Sequence, residues 1–476
     1  MDTLQAYLSI VDTRLLHHIQ GKVGHLIRTY QAGKFASEAA FQQRLVEGGM
    51  TAADYSELKS RAVKLLQAFA IVSASGGNSS VKKKYDSCLK KFTVGQKFLN
   101  QGIRPEGIRL IRQAYQIAVD YHFLHLAAEM ASILHFDHVY YHRNAPKAAF
   151  YAEQTQQHLE DLLAEKLVEQ QLFQVMEYSG ESLQPQLFAA ALERSQQLTG
   201  SSLRFKTYAT MIQVLHDLHT GDYRGIILHC REVLQFYEGK KGVFTSHYHF
   251  FLTHQAMAHI ATRQYDRAET SLLRAQDFAP TKSINKPIVA LYQTINALHA
   301  GHYERAYDLY RQHRKSRFEP IRQQFAIIQA YFCFLAHLGH LRLDGKFRLG
   351  KYLNETFKAQ SDKQGANITI LIAELLVHLA RDRGRFIDRV EAINNYSYRH
   401  LKGPDTKRAK RFIKILCLLP RANFHPLALQ RLAARPIQYL EEHPIHLGEN
   451  LAIEVIPFGD LLEMIMTDLA QRRAVG

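Results

Sequence analysis

A turn signal recurs along this chain at nearly constant spacing, and no other feature limits its fold as strongly. The triplets are Gly221-Asp222-Tyr223, Arg263-Gln264-Tyr265, Gly301-His302-Tyr303, Gly345-Lys346-Phe347 and Gly384-Arg385-Phe386, with aromatics 42, 38, 44 and 39 residues apart. Each follows one apolar helical pattern and precedes another. Glycine at the first position is expected to end a helix in a left-handed cap, which it adopts without a Cβ penalty. The aromatic two residues on is expected to open the next helix and wedge between the pair. Three residues further a small side chain recurs at Ala268, Ala306 and Gly350, while Ile226 and Arg389 depart from that rule. Weaker echoes stand at Gly102-Ile103-Arg104 and Asn144-Ala145-Pro146, with another near Gln184-Pro185. Periods of 20 to 50 residues mark solenoids, whose units bury their apolar faces on their neighbours.

Within each unit the apolar period is that of a helix. Ile288, Leu291, Tyr292, Ile295 and Leu298 are spaced i, i+3, i+4, i+7, i+10 and build one face. No convincing alternating run bounded by hairpin signals stands beside them. The expected fold class is all-α: an α-solenoid of about eight helix-turn-helix repeats with N- and C-terminal helical caps. Residues 1–72 read as an N-terminal module of about four helices, the last opening at Thr51 with Asp54 as a capping-box pattern. Residues 73–80, Ser-Ala-Ser-Gly-Gly-Asn-Ser-Ser, read as a linker, 81–402 as the array and 403–476 as a proline-punctuated C-terminal cap.

The stretch Ala256 to Pro280 resembles a tetratricopeptide repeat, through Ala256, Tyr265, Ala268, Leu272, Ala275 and Pro280. Gly301, Tyr303, Ala306 and Tyr310 are similar. The period is nearer 40 than 34 residues, there is no Trp, and the other units match at only one or two positions. The resemblance, to a degenerate array over about two thirds of the chain, implies a curved helical scaffold that binds peptides or protein surfaces. It implies that the first helix of each pair lines the groove, and it implies no catalytic residue.

The 476 residues are 46% apolar and 22% charged, which suits a folded chain and not a disordered one. Cys88, Cys230, Cys333 and Cys417 are too far apart for a zinc ribbon or an evident disulfide framework. The apolar windows Phe325 to Gly339 and Ile368 to Ala380 are shorter than a membrane span and read as core helices. The N-terminus lacks signal-peptide character. A cytoplasmic setting is expected.

Charge is uneven. Sixty Lys and Arg against 44 Asp and Glu give +16, yet Ala152 to Glu193 holds eight carboxylates and one base, leaving about +23 elsewhere. Basic clusters stand at Arg311, Arg314, Lys315, Arg317 and Arg322, at Arg381, Arg383, Arg385 and Arg389, and at Lys407, Arg408, Lys410, Arg411 and Lys414. The first two are the expected partner-binding positions, acting as electrostatic clamps on a protein or peptide, and an acidic segment is the expected partner. Nucleic acid along the same groove is the alternative, since basic stripes also track phosphates. A third possibility is a regulator whose 35–46 and 51–72 segments form a helix-turn-helix with Lys59, Arg61 and Lys64 exposed.

His247, His249, His254 and His259 cluster in sequence, and His337 and His340 are spaced i, i+3, but they do not form a converging zinc-ligand pattern. No Rossmann, zincin or nucleophile-elbow motif occurs. Gly339 to Lys346 is one residue too long for a P-loop and has Phe347 where Ser or Thr should hold magnesium. No metal, cofactor or enzymatic activity is expected.

Overall fold

The computed structural model describes residues 3–33, 35, 37–72, 80–178, 185–279, 283–345, 347–350, 352–353, 366–400, 406–443, 445 and 454–475. Among these residues every regular element is helical. The elements are α1 (Thr3–Leu8), α2 (Thr13–Leu16), α3 (Gly21–Ala32), α4 (Glu38–Glu47), α5 (Ala52–Val72), α6 (Ser80–Asn100), α7 (Arg104–Asp120), α8 (Leu124–Tyr140), α9 (Ala145–Tyr178), α10 (Pro185–Gln197), α11 (Leu203–Thr220) and α12 (Tyr223–Phe236). They continue with α13 (Thr245–Ala261), α14 (Tyr265–Asp277), α15 (Asn285–His299), α16 (Tyr303–His313), α17 (Glu319–His337), α18 (Ala366–Arg381), α19 (Arg383–His400), α20 (Lys407–Leu418), α21 (Pro426–Leu432), α22 (Ala434–Glu442) and α23 (Phe458–Val475). No helix among the described residues is long and apolar enough to cross a membrane.

The chain forms two compact units. The first comprises Met1–Lys166, Thr199–Phe205 and Gly239–Phe244; the second comprises Leu167–Leu198, Lys206–Glu238 and Thr245–Gly476.

In the first unit, α1 to α5 enclose one apolar cluster that includes Leu26, Ile27, Phe41, Ala62 and Leu66. The N-terminal segment thus has five helices where about four were expected; α1 and α2 are short. Thr51 accepts from the Asp54 backbone N–H at 3.1 Å and donates to its carboxylate at 2.6 Å, so the capping pattern is formed. A second cluster, around Cys88, Ile111, Ala114, Met130 and Leu134, joins α6, α7 and α8. The expected linker residues 73–79 lie outside the described residues.

The acidic stretch contains more than solvated charge. Asp161 is 6% exposed and Glu165 2% exposed. Asp161 accepts from the Ser201 backbone N–H at 2.8 Å and hydroxyl at 2.7 Å. Glu165 accepts from the Ser202 hydroxyl at 3.0 Å and is faced by Arg204 at 3.4 Å. These bonds tie residues 199–205 to α9 and satisfy carboxylates that would be costly to bury unpaired.

In the second unit consecutive helices pack on one another from α12 to α18, and α13, α15 and α17 also touch across the intervening helix. The two most apolar windows fall in α17 and α18, as expected of core helices. Phe325, Tyr331, Phe332 and Phe334 of α17 are fully buried, as are Ile370, Ile372, Leu375 and Leu376 of α18.

The turn expected from the triplets exists and has a common geometry. Gly102, His122, Gly221, Arg263 and Gly301 are all left-handed, with φ of 76°, 58°, 77°, 58° and 78°. The residue after each has nearly the same backbone, from Asp222 (−81°, 76°) to Gln264 (−96°, 62°). Its N–H reaches the carbonyl five residues back: Ile103 to Phe98 at 2.9 Å, and Phe123 to Ala118, Asp222 to Asp217, Gln264 to His259 and His302 to Ala297 at 2.8 Å. That is a Schellman closure, and the next helix begins one residue later. Tyr223, Tyr265 and Tyr303 open their helices as expected, and Ala268 and Ala306 are wholly buried.

Two triplets behave differently. Gly345 is left-handed, but Phe347 is itself not helical, and helical residues begin only at Leu349. Gly384 is already inside α19, because the Asp382 carboxylate accepts the Arg385 N–H at 3.1 Å and starts the helix earlier. The same turn at His122 escaped the glycine pattern; it divides the segment from 102 to 144 at α7–α8.

A candidate anion-binding groove

The third basic cluster stands on α20, whose sequence is strongly two-sided. Ala409, Phe412, Ile413 and Leu416 repeat at i, i+3, i+4, i+7 and are fully buried, which sets the helix's orientation. Lys407, Lys410, Arg411 and Lys414 repeat with the same spacing and necessarily fall together on another side. They line a groove of about 960 Å³ between α19 and α20.

Arg408 does not belong with them. It is 8% exposed, and its guanidinium grips both oxygens of Glu454 while donating to the carbonyls of Leu440, at 2.7 Å, and His443. One basic run in sequence is therefore a structural ion pair and a four-cation face.

α19 supplies the opposite wall. Glu391, Asn394 and Asn395 are exposed there, and Ile387 and Val390 add apolar surface. Leu418, Pro420, Arg421 and Tyr439 of α22 complete the lining. The Arg411 guanidinium lies 5.2 Å from the Tyr439 ring centroid, and that ring stacks on His443 at 3.8 Å. Among the described lining residues Glu391 is the one carboxylate, against five cations. Neither Lys407 nor Lys414 has an ion-pair partner among the described residues. Five cations facing a partly apolar cleft focus a positive potential there.

Cys417 also lines the groove. Its Sγ is 3.6 Å from the Val390 carbonyl, and burial raises its thiol pKa to about 12, with Arg421 opposing the shift. It is a poor nucleophile at neutral pH.

The eight arginines and one lysine expected to bind a partner are all exposed, but most make contacts within the chain. Arg311 is 3.1 Å from Asp344, and Arg322 pairs with Glu319. Arg314 lies 5.9 Å from the Tyr310 ring and Arg317 4.8 Å from Phe318. Arg381 donates to the Phe347 carbonyl at 3.2 Å and to Cys333 Sγ at 3.0 Å, and Arg385 is 3.4 Å from Asp382. Arg389 binds buried Glu374 at 2.7 Å. Arg383 stands 4.8 Å from the Phe424 ring and lines a second basic groove with Arg431 and Arg472. Lys315 is exposed.

The features considered for zinc and DNA have local roles. His249 contacts the Asn285 carbonyl at 3.3 Å and His254 the Phe250 carbonyl at 2.8 Å. No group of three or more metal-type ligands converges among the described residues. In the α4–α5 hairpin, Lys59 pairs with Glu38 and Arg61 with Glu57, so two of its three expected DNA-facing bases are engaged.

The groove's Asn394, Asn395, Arg421 and Tyr439 carried no distinguishing sequence signal. The α20 spacing did, because four cations at i, i+3, i+4, i+7 opposite an apolar face are legible without a structure. Compared with known proteins, the chain matches no family model, and no curated protein sequence matches it.

Proposed function

We propose that this protein is a non-enzymatic helical-repeat scaffold that takes an acidic segment of a partner protein into the α19–α20 groove. The observation that carries this reading is the four-cation face of α20 set against a single carboxylate among the described lining residues. The apolar part of the wall favours a peptide over a bare phosphate chain, because Ile387, Val390 and Leu418 can bury a side chain between charged contacts. The exposed amides of Asn394 and Asn395 suit a peptide backbone. Exposed Arg314, Lys315, Arg317 and Arg385 would act outside the groove by steering, raising on-rate more than affinity.

The repeated Schellman turns and consecutive helix packing support an α-solenoid of about eight units related in style to tetratricopeptide arrays; a cytoplasmic setting is part of the same proposal. The test is capture from native cells with the wild-type chain and a Lys407→Glu, Lys410→Glu, Arg411→Glu, Lys414→Glu variant, each with and without nuclease. A discrete protein partner that survives nuclease and is lost in the folded variant supports the reading. Undiminished capture by the variant overturns the groove. Loss of every partner on nuclease treatment, with a steep salt dependence, would move the function to nucleic-acid binding.

A further inference from the structure

A second basic cleft in the same unit has a construction of its own. It encloses about 770 Å³ between the first turn of α19, the turn at 422–425, α21 and α23. It shares no lining residue with the α19–α20 groove. Arg383, Arg431 and Arg472 line it from three different helices, and no carboxylate stands among the described lining residues. Its volume falls in the range of small-molecule sites, about 300–1,000 Å³.

One wall is built around Phe424. Asn423 and Phe424 are both left-handed, with φ of 48° and 51°, a backbone that bulky side chains rarely adopt. Their N–H groups reach the carbonyls of Pro420 and Leu419, each at 3.0 Å, and the Phe424 ring meets fully buried Phe386 edge-on at 6.1 Å. The turn thereby sets the ring under the Arg383 guanidinium, 4.8 Å from the ring centroid. A guanidinium laid over a ring keeps its edge N–H donors free, and the stacking limits where they point. Neither the Arg383 nor the Arg431 guanidinium has an acceptor among the described residues.

The other charges near the cleft cancel locally. Arg472 donates to Asp468 at 2.9 Å and lies 2.8 Å from His337 Nε2, so it is anchored and neutralised. Asp382, beside Arg383, is 3.4 Å from Arg385. Two guanidiniums remain unmatched, the complement of one phosphoryl dianion. Leu427, Ala428 and Leu469 add apolar lining beside them.

We propose that this cleft binds a small organic phosphomonoester, its phosphoryl group held by the planar forks of Arg383 and Arg431 and its body lying on Leu427 and Leu469. Inorganic phosphate offers the same phosphoryl chemistry without the body, and the probes below separate the two. The site does not depend on a peptide entering the α19–α20 groove, and the failure of either leaves the other standing.

The experiment is calorimetric titration of the full chain at pH 8, where the ester is a dianion. Phenyl phosphate, inorganic phosphate and benzenesulfonate, a monoanion of similar shape, are each taken to about 10 mM, tenfold above a Kd of about 1 mM. Saturable binding of phenyl phosphate, about tenfold or more tighter than benzenesulfonate, supports the proposal if it is lost in Arg383→Gln, Arg431→Gln. It must survive Lys407→Gln, Lys410→Gln, Arg411→Gln, Lys414→Gln, which separates this cleft from the groove; loss there overturns the site. Weaker binding of inorganic phosphate identifies the organic ester, whereas equal affinity overturns the ester and leaves a site for the ion. Arg383 and Arg431 are exposed, so the variants are expected to fold. Arg383→Lys gives a second readout, because it keeps the charge and loses the planar stack; the expected weakening is about threefold or more, and unchanged affinity refutes the clamp. No saturation by phenyl phosphate, or saturation that persists in the double glutamine variant or is matched by benzenesulfonate, overturns the proposal.

Discussion

Arg389 places Nε 2.7 Å and Nη2 3.3 Å from the two carboxylate oxygens of Glu374, a residue only 3% exposed in the apolar helix α18. Glu374 is the one carboxylate in the Ile368 to Ala380 window, and its charge is matched from the next helix. His378 stands 3.9 Å away as a further neighbour. Arg389→Ala would strand the carboxylate, and the expected loss is about 2 kcal/mol, below the usual cost of breaking a fully buried pair because the arginine is half exposed. Replacing both residues with Leu should recover most of it. Urea unfolding of the single and double variants measures this; an unaffected Arg389→Ala midpoint would contradict it.

The repeated turn makes two opposed predictions. Gly301→Ala forces a Cβ into a left-handed residue, although the nearest heavy atom would be 4.0 Å away, so the expected loss of about 1 kcal/mol comes from the backbone alone. Arg263 occupies the equivalent left-handed position at φ 58°, and Arg263→Gly should gain a few tenths to about 1 kcal/mol. Thermal melts should move in opposite directions.

Burial holds the His299 imidazole neutral and pushes its pKa down to about 4 from 6.5. Between those values the unfolded chain binds the proton and the folded chain does not, so stability falls as pH drops from about 6.5 to 4. The lost contribution is on the order of 3 kcal/mol when complete. His299→Gln should flatten that part of the pH–stability profile; a profile identical to wild type would refute the assignment.

Cys88, Cys230 and Cys333 are buried, and burial raises the pKa of all three thiols. Cys417 is the more accessible one and lines the basic groove. In native protein at pH 8.5, iodoacetamide is expected to label Cys417 first, and slowly. An acidic peptide seated in the groove should slow it further, by several-fold, leaving the other three unchanged. Peptide mapping by mass spectrometry reads this directly.

Most helices, several caps and the shared turn were legible because they depend on neighbours within a few residues. A 3.6-residue apolar period, Thr51 with Asp54, and Gly at 102, 221 and 301 each state a local preference. The same locality explains the misses. His122 adopts the glycine conformation without glycine, and Asp382 moves the start of α19 ahead of Gly384.

What the tertiary structure alone decided is which charges are spent. Arg408 and Lys407 are adjacent and chemically alike, yet one is consumed by Glu454, 46 residues away, and the other faces a groove. Arg389 and Lys59 are similarly committed to Glu374 and Glu38. An ion pair forms wherever packing brings opposite charges into a poorly solvated contact, and that proximity is set by how helices stack, which no short window of residues contains. The helical periodicity is a property of the chain; the basic groove between α19 and α20 is a property of its packing.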